Sequence, residues 1–249
     1  MLNLMWLSTC KNQIIHQKYK MKRKIKEIII NTLHKLYGEV ATKSDLDNLY
    51  NQLVGFINIQ NGMIGRQVLK PMRGWAISPD AMSLIISELD MMNAPTVIEF
   101  GSGQSTVIFA AIVKNRGGSV ISVEHDADYY SIINKQIQAS GLSDVVKPLH
   151  VPLKDFDLFR SYDTSCITDI GVPDIALVDG PPCFHGSMTR FNPLKWCVEK
   201  MKSGGIIYLD DSFREGERQC LEKLQHEYPG LFKIEELPSE KGLTKIIIK

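Results

Sequence analysis

Four short segments of this chain combine residue types that can do chemistry. The first is Glu99-Phe100-Gly101-Ser102-Gly103-Gln104-Ser105-Thr106, an acid followed by two glycines one residue apart. Glycine lacks a Cβ, so such a loop turns tightly and lets backbone N–H groups approach a ligand. A third glycine at position 106 would complete a dinucleotide fingerprint, but Thr106 stands there, which disfavours a nicotinamide reading. The second segment is Glu124-His125. A carboxylate about twenty residues past a glycine loop is placed to accept both hydroxyls of a ribose; a solvated glutamate is the plainer alternative. The third is Asp179-Gly180-Pro181-Pro182 with His185 close behind, and the fourth is Asp210-Asp211. Three aspartates on neighbouring strand ends would form an oxygen-rich rim of the kind magnesium or a similar hard divalent ion prefers. Alternatively, Asp179 contacts a cofactor, Asp210 caps the next helix and Asp211 is solvated. His185 is a candidate general base or simply a surface histidine. Arg190 and Arg214 can grip an acidic acceptor by forked hydrogen bonds, or serve as ion-pair partners. Trp75 can stack on a ring or anchor a core.

These residues need elements to place them. Residues 78–92 read as a helix opened by Ser78-Pro79-Asp80, a hydroxyl, a proline where no donor is needed, and an acid in the first turn. Apolar runs at 96–100, 119–124, 145–151, 175–179 and 206–209 read as strands, and helices are expected at 106–115, 127–140, 190–202 and 214–227. Residues 232–237 and 243–248 look like a closing hairpin. Strands separated by helices imply a parallel sheet covered on both faces, so the expected fold is a doubly wound, Rossmann-like α/β domain. Ligands of such sheets sit beyond the carboxyl ends of the strands, where the strand order reverses. All four segments fall at those ends.

Glu99-x-Gly-x-Gly, then Glu124, then Asp179 resembles the class I S-adenosylmethionine-dependent methyltransferases over roughly residues 70–249. The resemblance implies a seven-stranded, mostly parallel sheet with a C-terminal antiparallel hairpin. It also implies that Ser78, Glu99, Gly101, Ser102, Gly103, Ser105, Thr106, Glu124, His125 and Asp179 line the cofactor. Gly101 and Gly103 would face its methionine part, Glu124 its ribose, and residues 153–155 its adenine. The acids at 179, 210 and 211 are similar to the metal ligands of metal-dependent O-methyltransferases. The usual lysine base after the first acid is missing, and His185 is the nearest replacement. The phrases at 179–182 and 210–214 also resemble glycan and polysaccharide methyltransferases. The expectation is therefore methyl transfer to the hydroxyl of a sugar, glycan or other small polar acceptor. Asp179 and His185 would be catalytic, a divalent cation would sit at Asp179, Asp210 and Asp211, and Arg190 and Arg214 would hold the acceptor. The rivals are a metal-independent methyltransferase acting on a carboxylate, amine or protein residue, and a non-catalytic scaffold of the same fold.

The formal charge of +1 over 249 residues argues against a nucleic-acid coat. Five scattered cysteines without Cys-x-x-Cys fit reduced thiols in a cytoplasmic protein rather than a disulfide framework or zinc site. No apolar run approaches the ~18 residues of a membrane span. Charge is uneven, however. Residues 1–65 hold nine Lys or Arg against four Asp or Glu, while the remainder holds 20 against 24. Residues 1–7 are apolar but short, and the basic residues follow them, so no export is expected. Met21 would serve as a translation start, leaving residues 1–20 of little consequence. Residues 1–65 read as a basic helical extension and 66–249 as the main domain. In the extension Ile25, Ile28, Ile29, Leu33, Leu36 and Tyr37 form one stripe, stopped at Gly38. Leu46, Leu49, Tyr50, Leu53, Phe56 and Ile57 form a second, capped by Thr42 or Ser44. The first suits either a solvated helix or peripheral contact with an anionic membrane, and the second a partner subunit or a cover over the site.

Overall fold

The computed structural model describes residues 24–29, 32, 42–63, 69, 72, 74–157 and 159–249. The chain divides into two compact units, Met1–Leu53 and Val54–Lys249. In the first, residues 24–29 are helical, Ile25 and Ile28 are exposed, and Lys26 Nζ lies 2.5 Å from Asp47 Oδ1. Leu33, Leu36, Tyr37, Gly38 and everything before residue 24 fall outside the described residues.

Helix α1, Lys43–Gly62, spans the division. Thr42 caps it reciprocally: its Oγ1 accepts from Asp45 N at 3.2 Å, and Asp45 Oδ2 accepts from Thr42 N at 2.8 Å. The expected stripe is only partly the buried one. Phe56 and Ile57 are exposed, while Ile59 and Met63 enter the core of the second unit. Gly55 explains the shift. A Cβ there would stand 2.5 Å from the Pro79 carbonyl carbon, so this face meets the start of the next helix backbone to backbone.

That helix, α2, is Pro79–Leu89. Ser78 occupies the N-cap position, yet its hydroxyl makes no cap bond and lies buried without a partner. Alternation follows through β1 (Thr96–Phe100), α3 (Gln104–Lys114), β2 (Ser119–Glu124), α4 (Ala127–Ala139) and β3 (Val146–His150). Two further strands, β4 (Leu153–Phe156) and β5 (Phe159–Tyr162), pair only with each other, antiparallel. Then come β6 (Ile175–Val178), α5 (Phe191–Lys200), β7 (Ile206–Asp210), α6 (Glu215–Glu227), β8 (Phe232–Leu237) and β9 (Leu243–Ile248).

The main sheet has seven strands in the order β3-β2-β1-β6-β7-β9-β8, parallel except where β9 runs against β7 and β8. Its strands serve two cores. In β6, Ile175 and Leu177 join the side carrying α2, α3 and α4, while Ala176 and Val178 join the side carrying α5 and α6. Two-sided burial is why these strands read as continuous apolar runs. The order reverses between β1 and β6, which is where this architecture binds its ligands.

Candidate active site

Glu99 stands out because a carboxylate occupies a wholly buried strand position. Three hydroxyls donate to it: Ser105 Oγ at 2.7 Å, Ser122 Oγ at 2.8 Å, and Thr106 Oγ1. Thr106 Oγ1 also accepts from Gly103 N at 3.0 Å, so the residue at the third-glycine position ties the loop to the strand. Ser105 and Thr106, expected beside the cofactor, both hold Glu99. Burial outweighs these bonds and raises the Glu99 carboxyl to about 7 from 4.5. A raised folded value favours the protonated form. This stabilising contribution is full below pH about 4.5 and lost as pH rises through about 7. Glu99→Gln should thus gain melting temperature relative to wild type between pH about 5 and about 8. A constant difference measured by circular dichroism would exclude the effect.

Gly101 has φ +101°, and a Cβ there would stand 3.0 Å from the Asp179 carbonyl carbon and Gly180 N. The loop thus packs directly on the chain leaving β6. Gly103 differs: a Cβ would meet nothing closer than Ser105 Oγ at 3.8 Å and Tyr129 Oη at 3.9 Å. Gly101→Ala is expected to cost about 1–3 kcal/mol, lowering the melting temperature by about 2–4 °C per kcal/mol. Gly103→Ala should melt within a degree or so of wild type, the scale of a benign surface change. Equal melting of the two variants would refute the assignment.

Glu124 closes β2 and is buried. Its Oε2 accepts from Ser102 N in the glycine loop at 3.2 Å, and its Oε1 from His125 N at 2.7 Å and Asp126 N at 2.9 Å. The carboxylate is thereby fixed beside the loop. His125 Nδ1 lies 2.9 Å from Oε1, and its ring packs edge-on against Tyr162 and His185, centroids 5.8 and 5.4 Å away. Among the described residues, Tyr162 Oη and His185 Nε2 have no hydrogen-bond partner. Burial, with the neighbouring His125 and Arg160, lowers the His185 imidazole below its ordinary 6.5, so it is neutral at pH 7. Phe184 lies 4.2 Å from His185 between ring centroids and 6.2 Å from Trp75, and both Phe184 and Trp75 are exposed.

The acid trio does converge. Asp179, Asp210 and Asp211 each offer an oxygen within 4.8 Å of the others. Arg190, however, is not at an acceptor site but buried among them. Its Nη2 donates to Asp179 Oδ1 at 3.2 Å and Asp211 Oδ2 at 3.0 Å, and its Nη1 to the Asp210 carbonyl at 2.8 Å. Arg214 Nη1 reaches the same Asp211 oxygen at 2.8 Å. Both arginines proposed to bind acceptor thus contact acids of the fold, Arg190 through both terminal nitrogens and Arg214 through Nη1 with much of its side chain exposed. Asp210 caps no helix, and both its carboxylate oxygens are buried without a hydrogen-bond donor. Burial and Asp211 raise its carboxyl to about 6, and burial and Asp210 raise that of Asp179. Asp211 adopts φ +54°, a strained conformation held by its two guanidinium contacts. As a metal centre the set fits poorly, because a fixed cation already engages two of its three ligands.

Leu153 packs on the α5 core and Asp155 is exposed on the small hairpin. A cavity of about 610 Å³ lies between that hairpin and helices α5 and α6, bounded by Lys154, Phe156, Phe191 and Lys223. It includes no residue of the glycine loop. Tyr162, Ser122 and Glu217 are site-bordering residues that no sequence signal marked.

Residues 98–212 match a family model described as a methyltransferase domain. The fold agrees with that class. A methyltransferase from Podospora anserina solved with SAH superposes with a TM-score of 0.56 at 14% identity, covering 91% of this chain and 96% of that one. An O-methyltransferase from Bacillus cereus, also with SAH, gives 0.51 at 15% identity over 88% and 96% of the two chains. The O-methyltransferase of tomaymycin synthesis from Streptomyces achromogenes, solved with SAM, gives 0.51 at 11% identity over 90% and 96%. No curated protein matches the chain. Residues 98–212 are thus similar to methyltransferase domains, and the chain shares its fold with these structures.

Proposed function

We propose that this chain transfers a methyl group from S-adenosylmethionine to a hydroxyl of a small polar acceptor, with a sugar or glycan as the favoured class. One observation carries the reading: Glu124 is fixed by Ser102 N at the mouth of the Gly101–Gly103 turn, beside the reversal point of the sheet. The similar structures solved with SAM or SAH support the choice of cofactor, and two of them are O-methyltransferases. Bound there, the sulfonium supplies an electrophilic methyl carbon for in-line displacement.

The chain's own groups then have distinct tasks. Glu124 would accept the ribose hydroxyls. Gly103 leaves room beside Tyr129 for the cofactor to pass. His185 is neutral with its Nε2 unpartnered, as a group that takes the hydroxyl proton during attack must be. The exposed rings of Trp75 and Phe184, next to His185, form an apolar platform on which the C–H face of a sugar can lie. Asp179 adds negative field to the rim. Exposed Phe56 and Ile57 on α1 suit a second subunit, and exposed Ile25 and Ile28 with exposed Lys24 suit an anionic surface.

The test is calorimetry with S-adenosylhomocysteine, followed by a labelled-methyl assay across nucleotide sugars and glycans. Absence of binding would refute the cofactor assignment. Binding with transfer only to carboxylates, amines or proteins would refute the acceptor class.

A further inference from the structure

The acid cluster holds more than the trio. Glu217 Oε1, on α6, lies 3.5 Å from Arg190 Nε, so the carboxylates of Asp179, Asp211 and Glu217 all approach one guanidinium, which also donates to the Asp210 carbonyl. The Arg190 side chain is 3% exposed, and its planar fork joins the ends of β6, β7 and the first turn of α6. It also donates to the Asp179 carbonyl at 3.2 Å. That carbonyl belongs to the peptide facing Gly101, so the same guanidinium holds the wall against which the glycine loop packs. A second guanidinium, Arg214, closes the Asp211 oxygen from the outer side. The Lys241 charge also acts on both Asp179 and Asp210, lowering their carboxyls against the larger effect of burial.

We infer that Arg190 is the resident cation of this cluster, so that the chain needs no divalent metal for methyl transfer. The inference rests on the methyltransferase reading for its catalytic meaning. Its structural content is independent of that reading. A hard divalent ion collects several oxygen ligands about itself. Here Asp179 Oδ1 and Asp211 Oδ2 already accept from Arg190, and the ion would have to stand beside a like charge that cannot be deprotonated. Asp210 has no donor at either oxygen, but an ion there would share Asp179 and Asp211 with a guanidinium already bound to one oxygen of each. Arg190 is thus a positioning residue: it supplies the neutralising charge and fixes the Asp179–Gly180 wall, without itself touching the reacting atoms.

The test is a Mn2+ titration of the full chain followed by electron paramagnetic resonance, with melting temperatures recorded alongside. Wild type is expected to leave Mn2+ free throughout a titration up to about one equivalent of protein, and to melt at the same temperature with Mn2+ or with EDTA. Arg190→Gln uncovers the carboxylates. It is expected to bind one Mn2+ and to recover melting temperature when the ion is added, a rescue that loss of a merely structural contact would not show. Stoichiometric Mn2+ binding by wild type that is displaced by Mg2+ and abolished by Asp210→Asn would overturn the inference. So would an Arg190→Gln protein that folds and ignores Mn2+. If that variant does not fold, the wild-type titration decides alone. Calorimetry of wild type with S-adenosylhomocysteine, run with EDTA, separates the two readings. Lost binding without metal uptake defeats the methyltransferase assignment and leaves the Arg190 inference standing.

Discussion

Glu124→Gln is expected to weaken S-adenosylhomocysteine binding about a hundredfold. The glutamate is buried, it ends β2, and three backbone N–H groups orient it: Ser102, His125 and Asp126. A hydrogen bond to a charged group contributes about 1.5–3 kcal/mol, and each 1.4 kcal/mol is about a factor of ten in affinity. Glutamine keeps one acceptor oxygen but loses the charge, and places an NH2 where one of the three donors already points. The loop should therefore loosen as the ribose contacts weaken, and both effects act in the same direction. Calorimetry gives the answer directly. A dissociation constant within about threefold of wild type would leave the ribose role of Glu124 without support.

The second large effect is expected at His185. His185→Ala should lower kcat by about 10²–10⁴-fold, the range of a lost general base, while leaving cofactor affinity near wild type. The sign of its pH dependence follows from its surroundings. Burial and His125 lower the imidazole below 6.5, so the base form is complete at neutral pH and lost as pH falls through that lowered value. In wild type, kcat should be flat from pH about 7 upward and fall on the acid side. In the alanine variant the acid limb should vanish. A variant that keeps both its rate and its acid limb would move the base elsewhere, with Asp179 the next candidate. The argument is local: His185 Nε2 lacks a partner in a region where Phe184, His125 and Tyr162 otherwise fill the space.

Much of this molecule could be read before folding. Residues 96–100 and 119–124 are apolar runs that carry Glu99 and Glu124, and both proved to be central strands. The β8–β9 hairpin was equally plain. The small β4–β5 hairpin was not, because Lys154, Asp155 and Arg160 interrupt any apolar alternation and its strands pair with nothing else. On α1 the apolar stripe misled in part. Gly55 made close backbone contact possible on a face that hydrophobicity does not mark.

The amino-acid order by itself determined the strand-and-helix alternation, the glycine turn and the presence of acids at the strand ends, since these depend on residues near one another in the chain. What those acids do was decided only in three dimensions. Arg190 lies 11 residues from Asp179 and 21 from Asp211, and nothing in that spacing says its guanidinium turns inward. Whether an arginine is a surface charge or the counter-ion of a buried cluster depends on how much water packing removes, and on which carboxylates the sheet brings within reach. That is a property of the assembled strands, and here it set Arg190 among the acids that the sequence suggested as metal ligands.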